Sequence, residues 1–283
     1  VTKNTSAIMI PNLLGNIADW KKIYKIAKKY NLKIIEDSAD TVGYKSNGKK
    51  LGSFSDITTN SMYASHIITG AGFGGMLCLN DYKLYLKAKL LRGWGRSSAT
   101  FNESEGIKLR FNTKVDGIPY DGKYIFSALG YNFLPSEISA AFALQQLKNL
   151  NQNIKIRINN FRYLKNFFSR YNNFFELPNE NKSTKTGWLA YPLILKDKIP
   201  FNRKNFQIYL EKHGIQTRTI FTGNILRQPI MKGLIYKKHR SAEFNANKIM
   251  QNGILLGCHH GLRKDHLEYI ILKIDNFLKR FTN

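Results

Sequence analysis

Asp37 and Asp40 close the segment LKIIEDSAD, just beyond the apolar pair Ile34 and Ile35. A carboxylate leaving a buried strand can face a ligand's protonated ring nitrogen, where the paired charge offsets its own desolvation. Acidic residues also cap turns at such boundaries, and that reading stands beside the first. His66 lies in SMYASHIITGAGFGG (residues 61–75), followed by glycines at 70, 72, 74 and 75. A neutral imidazole removes and returns protons near neutral pH, which a merely structural histidine need not do. The glycines offer backbone N–H groups to a phosphate, although they match neither a dinucleotide fingerprint nor a Walker A motif. Ser61 and Asn132 are candidate phosphate donors, and Asn132, in LGYNFLPSE just ahead of a helix start, also reads as a cap. Arg218, in QTRTIFTGNILRQP, suits a carboxylate or phosphate ligand, with a surface salt bridge as the alternative. His259 and His260 lack metal-ligand spacing and read as a pocket wall or loop.

Periodicity defines the elements that must position these groups. TSAIMIPNLLG predicts a buried strand closed by Pro11 and Gly15, and ADWKKIYKIAKKY an amphipathic helix with Ala18, Ile23, Ile26 and Ala27 on its apolar face. LKIIEDSAD is then a second strand, which completes a βαβ unit; ligands in such sheets gather beyond the carboxyl ends of the strands. SNGKKLGS is turn material, ITTNSMYA (57–64) a third strand and GGMLCLN (74–80) a fourth. DYKLYLKAKLLRGWG supplies a helix with a glycine-rich exit. Polar, aperiodic sequence from Arg96 to Tyr124 predicts a long excursion. Helices are expected over SEISAAFALQQLKNL (136–150) and about Ile154 to Tyr171, then, past the polar ELPNENKSTKTG, a strand in WLAYPLILK, a helix in NRKNFQIYLEKHGI stopped by Gly214, a short strand in QTRTIF and a last helix in DHLEYIILKIDNFL. The resulting division is a larger α/β part over 1–150 and a smaller α+β part over 151–283.

Composition narrows the chemistry. Among 283 residues the formal charge is +25, but the basic residues are dispersed through stretches such as DWKKIYKIAKKY and YKKHRSAEF, with no nucleic-acid reading element, so nucleic acid is not the expected partner. Attraction to phosphorylated small molecules is. Two cysteines, Cys78 and Cys258, are too few for a cysteine-ligated iron–sulfur cluster, a tetra-cysteine zinc site or a disulfide framework. The apolar runs fall short of the roughly 20 residues a membrane span needs, and no signal peptide is evident, which makes the cytoplasm the expected location. A start at Val1, directly before a strand, suggests a missing natural beginning.

Taken together and in order, AIMIPNLLGN, IIEDSAD, NGKKLGSFSD, SMYASH followed by GFGG, LRGWGR, LGYNFLPSEISAAFALQQLK and LGCHHGL resemble the DegT/DnrJ/EryC1/StrS family of sugar aminotransferases and dehydratases, within the fold-type I pyridoxal-phosphate class. The resemblance covers nearly the whole chain. It implies an α/β fold: a three-layer, mostly parallel sheet as the cofactor-binding large domain, incomplete at its N-terminus, with a smaller C-terminal α+β domain. By the same resemblance Asp37 pairs with the cofactor's pyridine nitrogen and Ser61 holds its phosphate. Asp40 stands where the family often has glutamine or histidine near the cofactor oxygen. Asn132 matches the residue that reaches the phosphate from the partner subunit of a homodimer, and Arg218 one in the substrate pocket.

His66 occupies the family's Schiff-base lysine position. Imidazole cannot make that bond, so the implied cofactor is non-covalent pyridoxamine 5'-phosphate, interconverting with pyridoxal 5'-phosphate. This substitution resembles that of the sugar 3-dehydratases, including those that make 3,6-dideoxyhexoses for lipopolysaccharide, whose substrates are nucleotide-linked 4-keto-6-deoxyhexoses. One dehydratase route uses an iron–sulfur cluster on cysteines after the RxWGR segment. The corresponding RGWGRSSATFNESEG has none, which favours the cluster-free route with glutamate as amino donor. GAGFGG stands where relatives commonly have an acidic residue in GEGG, the glycine segment after His66 is one residue longer, and Ile67 replaces a usual second histidine, which points to a separate subgroup. The alternatives are an aminotransferase using another lysine, with Lys45, Lys49 and Lys50 near the strand ends, and a non-catalytic relative.

Overall fold

The computed structural model describes residues 1–101, 106–180, 183–239 and 242–282. Part of the Arg96–Tyr124 excursion (102–105), of the polar ELPNENKSTKTG stretch (181–182) and of the basic YKKHRSAEF stretch (240–241) lies outside them. In chain order the regular elements begin with β1 (Ala7–Pro11), α1 (Trp20–Lys29), β2 (Lys33–Asp37), the short β3 (Lys45–Ser46) and β4 (Lys49–Lys50), β5 (Ile57–Ser61) and β6 (Gly75–Leu79). They continue with α2 (Tyr82–Arg92), α3 (Ile107–Phe111), β7 (Thr113–Val115), β8 (Ile118–Tyr120), α4 (Glu137–Lys148), α5 (Leu150–Phe168), β9 (Phe175–Glu176) and β10 (Thr184–Lys185). The last are β11 (Ala190–Leu195), α6 (Arg203–Lys212), β12 (Thr217–Arg218), α7 (Ala242–Asn252), β13 (Gly253–Gly257) and α8 (Lys264–Leu278). One compact unit comprises Val1–Pro11, Asp19–Ala39 and Gly52–Lys148; the other comprises Asn12–Ala18, Asp40–Leu51 and Asn149–Asn283.

In the first unit the sheet order is β1-β2-β5-β6. β1, β2 and β5 run parallel and β6 antiparallel to β5. Asp19 starts α1 by accepting the backbone N–H of Lys22 at 3.2 Å. The helix buries Trp20 and Ala27, seven residues apart and therefore on one stripe of a 3.6-residue repeat. Ile26, expected on that stripe, is 45% exposed on its flank, and Ala18 precedes the helix. β1 is not the buried strand expected: its residues alternate, with Met9 63% exposed, because successive side chains leave opposite faces and one face of the strand turns outward. β2 buries Ile34 and Glu36 on one face and leaves Asp37 for the other.

The segment expected as an aperiodic excursion holds a 3-10 turn (Ser97–Phe101), α3 and a β7–β8 hairpin in register from Thr113 opposite Tyr120 to Val115 opposite Ile118. These pieces are too short to leave a periodic signature, and an Arg110–Asp121 ion pair ties α3 to the residue after the hairpin. The second long helix, α5, begins at Leu150, four residues ahead of the expected Ile154.

The second unit is built on an antiparallel sheet, β12-β13-β11-β9. Alternation on β11 sends Tyr191, Leu193 and Leu195 into an aromatic core with Phe161, Phe168, Phe175 and Phe206, closed by α5, α6 and α8. The turn in SNGKKLGS is a hairpin between β3 and β4, with Asn47 and Gly48 at φ +50° and +75°, the backbone an Asn-Gly pair adopts most readily. No helix among the described residues is long and apolar enough to cross a membrane.

Candidate active site

Parallel pairing aligns the carboxyl ends of three strands, with Asp37 opposite Pro11 of β1 and Thr59 of β5. Asp37 is half-buried, and its Oδ1 accepts the Ala39 N–H at 3.1 Å and the Thr59 hydroxyl at 3.2 Å. No hydrogen bond from the described residues reaches Oδ2, so the carboxylate is oriented through one oxygen and open at the other. Ser61 lies two residues beyond Thr59 on β5 and therefore on the same face. Behind them, on the opposite face of β2, sits Glu36, which composition and spacing did not single out. It is fully buried and accepts the Ser38 hydroxyl (2.6 Å), the Gly52 N–H (2.9 Å) and the Ser55 hydroxyl (3.2 Å). These bonds satisfy a charge that would otherwise be costly to bury and fix the loops on either side of the strand end.

His66 follows on the turn that leaves β5. Its N–H donates to the Tyr63 carbonyl at 3.0 Å, and its ring meets Tyr63 edge-on at 6.1 Å. The next residues, Ile67 and Ile68, are buried in the interior and anchor the half-buried imidazole. The glycines then close the turn: Met62 N–H donates to Gly74 O at 3.0 Å and Gly70 N–H to Met62 O at 2.8 Å. A Cβ on Gly70 would lie 2.2 Å from the Phe73 carbonyl oxygen, a contact no other residue type could make.

Asn132 is exposed, and its backbone bridges to Gly93. In the second unit, Asp40 is almost fully buried and its Oδ2 accepts the Leu14 N–H at 2.8 Å. Arg218 ends β12 with an exposed side chain whose Nη1 donates to the Thr217 carbonyl at 2.8 Å. Lys45, Lys49 and Lys50 all lie on the β3–β4 hairpin of that unit. His259 and His260 follow β13, where the Asn160 amide donates to the His259 carbonyl at 3.0 Å.

Sequence reasoning also missed Arg157, hidden in the lysine- and arginine-rich pattern of α5. It is buried and donates from Nη1 to the carbonyls of Trp188 (3.2 Å) and Leu189 (3.1 Å). Burial pulls its guanidinium below the ordinary arginine range, and burial likewise pushes the nearby Cys258 thiol up to about 12. Burial first, and the Arg157 charge second, hold His259 and His260 below the usual histidine value.

Comparison with known proteins agrees with this architecture. The family model described as DegT/DnrJ/EryC1/StrS aminotransferase matches residues 1–275. The chain is 34% identical to the lipopolysaccharide biosynthesis protein RfbH of Salmonella typhimurium, over 98% of this chain and 64% of that protein. It is 32% identical to a GDP-4-keto-6-deoxy-D-mannose 3-dehydratase of Yersinia pseudotuberculosis, over 92% and 64%. The solved Escherichia coli GDP-4-keto-6-deoxy-D-mannose 3-dehydratase with bound hydrated PLP superposes with a TM-score of 0.82 at 28% identity, over 96% of this chain and 68% of that one. The chain thus spans 64% of the length of each of these two curated relatives. Its fold is that of the PLP-dependent aminotransferases, and it belongs to the DegT/DnrJ/EryC1/StrS family.

Proposed function

We propose that this chain carries the reacting side of a pyridoxamine-phosphate-dependent enzyme that removes the C3 hydroxyl of a nucleotide-linked 4-keto-6-deoxyhexose. The observation that carries the reading is His66 on a turn, Ser61 to Gly75, that contains no lysine. An imidazole there can move protons but cannot tether a carbonyl cofactor. The half-engaged Asp37 carboxylate suits a protonated ring nitrogen, and the Ser61 hydroxyl on the same sheet face suits a phosphate. These residues therefore fit the group.

When bound, the group supplies an amine for the C4 carbonyl and a ring that draws electrons. Asp37 keeps the proton on the ring nitrogen, its direction fixed by Thr59 and Ala39. His66 would take the proton from the group's aminomethyl carbon and would return it to the departing C3 oxygen. Ser61 and, from a second copy, Asn132 hold the phosphate. Arg218 is retained as the substrate contact for its charge. Asp40, proposed near the cofactor oxygen, also steadies the Leu14 turn of its own unit. Residues 1–150 would form part of the cofactor-binding domain and 151–283 the small domain.

Glutamate returns the amine in this scheme, since two cysteines cannot hold a cluster for the reductive route. A homodimer is supported by the apolar skin around Asn132, where Leu129 is 97%, Tyr131 60% and Phe133 67% exposed. A charge of +25 suits a polyanionic nucleotide sugar. We place the enzyme in the cytoplasm, in a deoxysugar route to lipopolysaccharide O-antigen. The test is to incubate the full-length protein with pyridoxamine phosphate, glutamate and a panel of such sugars and to weigh the products. Loss of the C3 oxygen with a ketone retained is expected; an amine in place of the ketone, without deoxygenation, would restore the aminotransferase reading.

A further inference from the structure

The LRGWGR segment has no part in the chemistry above, yet it is among the most constrained stretches of the first unit. Trp94 sits at φ +59° and Gly95 at +80°, and a left-handed tryptophan is held only when its surroundings demand it. Gly95 and Gly130 let two backbones meet: a Cβ on the first would lie 1.8 Å from the Ala128 carbonyl oxygen and on the second 2.2 Å from the Gly95 nitrogen. A ladder follows. Tyr131 N–H donates to Leu91 O (2.7 Å), Trp94 N–H to Tyr131 O (2.9 Å), Phe133 N–H to Arg92 O (3.0 Å) and Ser127 N–H to Gly95 O (2.9 Å). The Arg96 guanidinium lies over three rings drawn from both sides of that ladder, Trp94 at 4.5 Å, Tyr124 at 5.5 Å and Phe126 at 5.6 Å.

Asn132 is the residue this ladder presents. Its neighbours Tyr131 and Phe133 are bonded through the backbone, and their rings stack at 5.0 Å and 5°. Side chains one residue apart on extended backbone leave from opposite faces, so the Asn132 amide projects away from the stacked rings, exposed to solvent. We propose that Arg96 is the positioning residue for Asn132: by clamping Trp94, Tyr124 and Phe126 it keeps the strained turn in register and fixes the direction in which the amide reaches a phosphate held by a second copy. The inference rests on the phosphate reading of Asn132 given above. An amide fixed before binding loses less freedom when it binds, which is the advantage such a clamp confers.

The test is a double-mutant cycle on the full-length protein, read as the dissociation constant of pyridoxamine phosphate by quenching of tryptophan fluorescence. Asn132→Ala is expected to weaken binding about tenfold, the loss of one bond to a charged group. Arg96→Met is expected to weaken it by a similar factor, to add nothing once Asn132 is alanine, and to be partly rescued by Arg96→Lys, which keeps the charge over the rings. Full additivity of the two, or a weakened Asn132→Ala beside an unchanged Arg96→Met, would overturn the positioning role. Unchanged binding in Asn132→Ala would instead overturn the phosphate reading and the inference with it.

Discussion

The Thr59 hydroxyl donates to Asp37 Oδ1 at 3.2 Å across the parallel pairing of β2 and β5, so the carboxylate most suited to a ring nitrogen is aimed by the neighbouring strand. Asp37→Asn removes the charge that keeps a ring nitrogen protonated, and turnover should fall on the order of a hundredfold. Thr59→Val keeps the charge and the Ala39 bond, and should cost no more than about tenfold. Steady-state rates for both variants check the order of the two effects; a larger loss in Thr59→Val would contradict it.

His66→Lys tests the non-covalent reading from the other side. Borohydride treatment of the wild-type protein loaded with pyridoxal phosphate should leave the polypeptide mass unchanged, whereas the lysine variant should gain the mass of reduced cofactor. Labelling of the wild type would point to Lys45, Lys49, Lys50 or another lysine as the tether.

Glu36→Ala should destabilise the chain by on the order of 3 kcal/mol, because it removes the buried acceptor shared by the Gly52 N–H and the Ser38 and Ser55 hydroxyls. Chemical denaturation of the cofactor-free protein measures it. A shift within error of zero would mean that those donors find other partners.

Folded His259 and His260 resist protonation, their values lowered from the ordinary 6.5 by burial and then by Arg157. The unfolded chain takes up protons first as pH falls, so the stability these groups contribute is complete above about 6.5 and declines below it. Melting temperature should therefore drop between pH 7.5 and 5.5, above the range where carboxylates titrate, and His260→Gln should flatten that drop. An equally steep decline in the variant would assign it elsewhere.

Much of the fold was legible because its signals are local. The apolar–polar rhythm of α1, the β2 run ending in carboxylates and the glycines after His66 each announce themselves within a few residues. Partners distant in sequence are harder to read. Glu36 carries no signal of its own in the sequence, because its partners Gly52 and Ser55 lie on a loop well along the chain, and Arg157 was one basic residue among several on α5. The β7–β8 hairpin was invisible because strands of three residues carry no period. Asp37 and His66 stand out in the sequence by residue type and neighbours, while the Thr59 bond and the clamp over Trp94 emerge only in three dimensions.

The most direct test of the account compares the rate of C3 deoxygenation by the full-length wild type and His66→Asn, with pyridoxamine phosphate and a nucleotide-linked 4-keto-6-deoxyhexose saturating. The account predicts a fall on the order of 10²–10⁴ with cofactor affinity preserved, the contribution typical of a positioned acid–base group. A variant that deoxygenates at the wild-type rate would contradict it and move the proton transfer to another residue.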